Sequence, residues 1–100
     1  MLEVEFINGE CFFLSCEYLR VFSPSAEVRG HGTGNEILVL NKEHVNILSI
    51  EPVGNYAVRL VFSDGHRTGL YSWPILYSLG KNQQQNWQDY LARVAAPYRV

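Results

Sequence analysis

The sequence predicts an α+β fold: a mainly antiparallel β-sheet built from hairpins, with two C-terminal helices packed on the sheet. Three observations carry this. LEVEFINGECFFL alternates apolar and polar residues around Asn8-Gly9. YAVRLVFSDGHRTGLYS repeats the pattern around Asp64-Gly65. After Ser72 the apolar spacing becomes helical. Strands first and helices last define the class. The 100 residues suit one domain, residues 1–100, with one core.

The elements follow in chain order. Leu2, Val4 and Phe6 alternate with Glu3 and Glu5, the period of a half-buried strand. Asn8-Gly9 reads as a two-residue turn, which pairs Phe6 with Cys11 and Val4 with Phe13. Cys11 then falls on the apolar face as a small buried hydrophobe. Ser15 caps a short helical turn carrying Tyr18, Leu19 and Phe22, and Pro24 stops it. SAEVRGHGTGNE reads as a loop, with glycines at 30, 32 and 34. A phosphate cradle would need a following Lys-Ser/Thr and a strand–loop–helix context, and neither occurs.

EILVL reads as a strand, Asn41-Lys42 as a turn, and Val45 to Ile50 as a second strand ended by Pro52 and Gly54. In the Asp64-Gly65 hairpin, Phe62 faces Arg67, Leu60 faces Gly69 and Val58 faces Tyr71. His66 then lies on the more polar face, outside the deep core. Ser72 caps a helix with Pro74 in its first turn and Gly80 as its stop. Asn82 and Gln85 have capping-box spacing for a last helix. Its stripe is Trp87, Tyr90, Leu91 and Val94, and Pro97 ends it.

Composition narrows the function classes. Eight Lys and Arg against ten Asp and Glu give a net charge of -2, which argues against general nucleic-acid binding. No apolar run approaches the ~20 residues that span a bilayer. MLEVEFINGE lacks the basic and apolar regions of a signal peptide. Two cysteines make no disulfide framework, so the expected setting is a reducing, cytoplasmic one with free thiols.

Three chemistries remain to weigh. A hydrolase or isomerase would draw on Asp64 and His66, but no G-x-S-x-G elbow is present and Asp64 is first a turn former. A metal site would draw on Cys11, Cys16, His31, His44 and His66, but no C-x-x-C or H-x-x-x-H occurs. A binding surface would use Arg20, Arg29, His31, Arg59, His66 and Arg67, interleaved with Tyr18, Tyr56 and Tyr71, since arginine beside tyrosine favours interaction hot spots.

YLRVFSPSAEVRGHG, IEPVGNYAVRLVFSDGHRTGLYSW and the spaced LYSLG…W..YL occur in that order. Together they resemble the gamma-butyrobetaine hydroxylase-like N-terminal domain, from about Val4 to Leu91. The resemblance implies a small α+β domain that stands alone in bacteria. It is also found fused to the carnitine-synthesis hydroxylase and to some iron–sulfur-cluster carrier ATPases. In the hydroxylase this domain binds zinc through C-P-C-x-x-C and a later histidine. Those positions fall here on Ser23, Ser25, Val28 and His66. The histidine is kept and the three thiolates are lost, so the resemblance implies that the inherited zinc site is absent and no cofactor is expected.

The hydroxylase's catalytic 2-oxoglutarate oxygenase domain has no counterpart in this sequence, so its activity does not carry over. The implied function is a non-catalytic binding or adaptor domain with a protein partner and no membrane. Its surface would comprise Tyr18, Arg20, Ser23, Ser25, Arg29, His31, Asp64, His66 and Arg67. The alternative is a metal-binding or iron–sulfur-assembly accessory protein, using His66 with His31 or Cys16 and perhaps Glu27. The second alternative is the small hydrolase or isomerase.

Overall fold

The computed structural model describes residues 1–29 and 38–95, with the side chain of Arg29 outside that set. The expected glycine-rich loop, His31, the first residues of EILVL and Pro97 lie outside the described residues.

The alternating N-terminal segment forms β1 (Leu2–Glu5) and β2 (Cys11–Leu14), an antiparallel hairpin. Its register differs by one residue from the expected one. Val4 pairs with Phe12 and Glu5 with Cys11. The Gly9 N–H donates to the Phe6 carbonyl, and the Phe6 N–H donates to the Glu10 carbonyl. The loop therefore has three residues, Ile7 to Gly9, and only Gly9 takes a positive φ, +91°. A one-residue slip exchanges the two faces. Cys11 is accordingly exposed, not buried, beside the Glu3 carboxylate.

Ser15 caps α1 (Cys16–Val21), its hydroxyl accepting from the Tyr18 N–H. A further short helix, α2 (Ala26–Arg29), lies in the segment expected to be loop. Its Val28 N–H donates to the Ser25 carbonyl, so Ser25 starts the turn. Residues 38–40 form no strand. The turn comes later than expected, closed by the Val45 N–H on the Lys42 carbonyl, with Asn41 just ahead at φ +63°.

β3 (Ile47–Val53), β4 (Ala57–Phe62) and β5 (Leu70–Ser72) form a three-stranded antiparallel sheet in that order. β3 runs through Pro52 instead of ending there. Proline is tolerated because β3 is an edge strand, where a missing N–H breaks no central ladder. Val58 pairs with Tyr71, as the sequence predicted. At the tip, however, the Phe62 N–H donates to the His66 carbonyl and the Gly65 N–H to the Phe62 carbonyl. This is again a three-residue loop, with Gly65 at φ +92°. His66 thus stands opposite Phe62 and is buried, where the two-residue turn had placed it on the polar face.

Ser72 caps α3 (Trp73–Lys81), accepting from the Ile75 N–H. Gly80 is inside α3 instead of stopping it. A Cβ there would meet the Phe12 ring at 2.4 Å, so glycine lets the hairpin lie against the helix. Asn82 ends α3 and turns its amide back to the Ser78 carbonyl. It therefore forms no capping box with Gln85, which instead bonds Asp89. In α4 (Gln83–Ala95), Tyr90 is buried and Trp87 is partly buried, whereas Leu91 and Val94 are exposed.

The core joins β2, α1, the three-stranded sheet and α3 through Leu14, Tyr18, Leu19, Leu60, Phe62, Tyr71 and Leu76. Each such side chain contributes on the order of 1.5–3 kcal/mol when fully buried. The two large phenols keep their hydroxyls satisfied. Tyr18 donates to the Leu79 carbonyl at 2.7 Å and Tyr71 to the Leu19 carbonyl at 2.6 Å. Antiparallel sheets of two and three strands, with α3 and α4 packed on them, make the fold α+β.

Candidate functional site: a buried polar corner

The end of α1, the start of α2 and the tip of the β4–β5 hairpin converge on one polar corner. Pro24 turns the chain after α1 and brings Ser23 and Ser25 against the hairpin. Ser23 is fully buried, and its Oγ lies 2.8 Å from Nε2 of His66. The Ser25 N–H donates back to the same Oγ at 3.3 Å. Gly69 makes the room: a Cβ there would stand 2.4 Å from the Ser23 hydroxyl.

A second chain of bonds runs alongside. The Thr68 hydroxyl donates to Oε2 of Glu27 at 2.9 Å. With its proton so used, Thr68 Oγ1 accepts from the Ser25 hydroxyl at 2.6 Å. Ser25 Oγ in turn accepts from the Glu27 N–H at 3.2 Å. His66 Nδ1 stands 3.6 Å from Glu27 Oε2. Val28, in α2, is buried.

Asp64 fixes the outer edge. Its Oδ1 accepts from the His66 backbone N–H at 3.1 Å. Its Oδ2 accepts from Arg20 Nε at 2.7 Å and from Lys42 Nζ at 2.6 Å. Burial opposes ionisation of this carboxyl, but Lys42, the His66 N–H and Arg20 outweigh it and hold its pKa far below the usual range. Nη1 of Arg20 is buried and has no hydrogen-bond partner among the described residues. His66 is shifted down, first by burial and then by the Arg20 charge, against the pull of Glu27 and Asp64. Its ring is therefore held toward the neutral form.

Of the residues singled out from the sequence, Arg20, Ser23, Ser25, Asp64 and His66 do come together. Several are not surface groups. Ser23, Ser25, His66, Tyr18 and Tyr71 are buried, so the expectation that they belong to an exposed binding surface is corrected. Tyr18 points away from the corner, to Leu79 and Asn86. Arg67 and Tyr56 are exposed. Arg59 pairs with Glu51 across β4 and β3. Cys16 Sγ lies 3.7 Å from the amino group of Met1 and takes no part in the corner. His44 is exposed.

Lys42 and Thr68 were missed by sequence reasoning. Thr68 had a signal, since it follows His66 by two residues on an extended segment. Lys42 had none, because its link to Asp64 spans a turn that was misplaced. Among the described residues, no three His, Cys, Asp or Glu side chains are grouped as a metal site, and no helix is long and apolar enough to cross a membrane.

The architecture and the corner define a class: a small α+β domain whose α1–α2 junction is locked onto a hairpin tip. The family model for gamma-butyrobetaine hydroxylase-like, N-terminal, matches residues 1–77. The chain belongs to that family. It is similar to a protein solved by NMR in solution, at 54% identity over 98% of this chain and 83% of the other, with a TM-score of 0.78. A second NMR solution structure is 44% identical over 95% of this chain and 74% of the other, with a TM-score of 0.81. A crystal structure of a protein of unknown function from Acidithiobacillus ferrooxidans, of the DUF971 family, is 42% identical. It covers 78% of this chain and 76% of the other, with a TM-score of 0.64. No curated protein matches the chain.

The zinc implied by the resemblance can be tested against this donor set. The four matching side chains are two hydroxyls, one isopropyl group and one imidazole. Structural zinc takes thiolates and imidazoles, and an isopropyl group offers no lone pair. The residues present do not fit the metal.

Proposed function

We propose that the chain is a non-catalytic binding domain that recognises a protein partner through the rim of the polar corner. One observation carries this reading: Asp64 gathers Arg20 and Lys42 from two distant segments and holds them in place. A charged patch fixed in advance loses little side-chain entropy on binding. Glu27, whose side chain is 60% exposed, and the exposed Arg67 and Thr68 extend the patch outward. Opposite charges interspersed in this way favour register and partner choice over bulk affinity.

The other readings have less support. Ser23, His66 and Glu27 stand in the order of a nucleophile, base and orienting acid. Ser23 is 0% exposed, however, so no substrate reaches its hydroxyl. Asp64 addresses the His66 backbone and not its ring. Of the partners expected for His66 in a metal or iron–sulfur accessory role, Cys16 Sγ is placed against Met1, and His31 lies outside the described residues.

The test is affinity capture from native lysate, comparing wild type with Arg67→Glu. Arg67 is exposed and takes no part in the hydrogen-bonded chains of the corner, so the variant should keep the wild-type melting midpoint. The reading expects at least one protein to be captured by wild type and lost by the variant. An identical set of captured proteins would remove it.

A further inference from the structure

We infer that the corner formed by positions 23, 25, 28 and 66 is closed in this chain by a side-chain hydrogen-bond clip that does a metal's structural work without a metal. Ser23, Ser25 and His66 are brought together as ligands would be, and Val28 follows one turn after Ser25, its N–H on the Ser25 carbonyl. Ser23 and His66 touch across 43 residues of chain, Ser25 and Thr68 across 43, and Thr68 and Glu27 across 41. Each link joins the α1–α2 junction to the β4–β5 hairpin, which is the pair of segments a bound ion would staple.

The three hydroxyls of the clip are all satisfied, which is what a replacement for an ion requires. Proton direction is consistent from the Ser25 hydroxyl to Thr68 and on to the Glu27 carboxylate, while Ser25 Oγ is filled by the Glu27 N–H. Ser23 Oγ receives the Ser25 N–H and exchanges a bond with His66 Nε2. Buried polar groups stabilise a fold only when satisfied in this way. Val28, at the remaining position, is apolar and buried. Gly69 matches the arrangement, since a side chain there would displace the Ser23 hydroxyl. The separation is also wrong for an ion: Ser23 Oγ and His66 Nε2 are 2.8 Å apart, whereas ligand atoms around tetrahedral zinc stand roughly 3.5 Å apart.

The experiment measures zinc content by elemental mass spectrometry, together with melting midpoints with and without EDTA. It uses wild type, Ser23→Cys/Ser25→Cys/Val28→Cys, and Thr68→Val. Wild type is expected to carry far less than one zinc per chain and to melt alike with and without chelator. The triple variant, purified with zinc, is expected to take up close to one equivalent and to lose midpoint in EDTA. Thr68→Val, which cuts the second chain of bonds, is expected to melt several degrees below wild type. Near-stoichiometric zinc in wild type, with a midpoint that falls on chelation, overturns the proposal. So does a folded triple variant that takes up no zinc, because the four positions would then not share one corner. If the triple variant does not fold, Thr68→Val still decides: a wild-type midpoint there means the hydrogen bonds are not the closure.

Discussion

The imidazole of His66 is 2.8 Å from the hydroxyl of Ser23, and both groups are buried. A proton added to this ring must enter a site already flanked by Arg20 and Lys42, as well as by Glu27 and Asp64. Burial and the Arg20 charge lower the folded pKa below 6.5. The unfolded chain therefore binds the proton more readily than the folded one. Stability from this group is fully present above about pH 6.5 and is lost as pH falls from there toward the folded value. Melting midpoints should drop between about pH 7.5 and pH 5.5, and His66→Gln should flatten that part of the profile. Parallel profiles for the two proteins would assign the slope to other groups.

Tyr71 makes a sharper test of the core. Its hydroxyl serves the Leu19 carbonyl, one of the last four carbonyls of α1 and so without an intrahelical partner. Burial raises the Tyr71 pKa well above the ordinary value, so the hydroxyl stays protonated and able to donate. Tyr71→Phe keeps the ring and strands a buried acceptor, at a cost of about 1–3 kcal/mol. Urea unfolding should show a lower midpoint at unchanged slope. An unchanged midpoint would mean that another donor reaches Leu19.

How far the sequence reached, and where it stopped, has one cause. The Ser15 and Ser72 caps were legible because the hydroxyl, the spacing and the following turn are all local. The Val58–Tyr71 pair was legible because alternation on two strands admits few registers. Asn8-Gly9 and Asp64-Gly65 misled in the same way. A two-residue turn of this type needs positive φ at both positions, but of each pair only the glycine has it. A third loop residue then shifts the neighbouring pairing by one. That shift turned Cys11 outward and His66 inward, and it moved the candidate site from the surface to a buried corner. The Asp64–Lys42 and Thr68–Glu27 links depend on tertiary closure, which no local pattern reports.

The loop assignment has its own consequence at Gly65. A Cβ there would meet nothing within 4 Å, so substitution acts through the backbone alone. With φ at +92°, Gly65→Val should cost on the order of 1–2 kcal/mol. Gly65→Asn should cost less, because asparagine tolerates positive φ better. Thermal unfolding of both variants ranks them. Equal losses would point to a lost contact and not to backbone strain.

Gly80 sets two effects of opposite sign against each other. Gly80→Ala removes a helix-interior glycine, which by itself stabilises α3 by about 1 kcal/mol. The new methyl group, however, would lie 2.4 Å from the Phe12 ring. That ring is held edge-on by Phe6 and Tyr77, at 6.0 Å and 5.8 Å between centroids. Tyr77 is itself anchored by Glu10, which also holds Lys81. Phe12 therefore has little freedom to withdraw, and overpacking of this kind costs typically about 1–3 kcal/mol. The expected result for Gly80→Ala alone is a net loss of stability. Combined with Phe12→Leu, which shortens the opposing side chain, the same alanine should become neutral or stabilising relative to Phe12→Leu alone. A double-mutant cycle in urea reads this directly as a coupling energy. Additive effects would show that α3 and the first hairpin do not press on each other at Gly80, and that glycine is there for another reason.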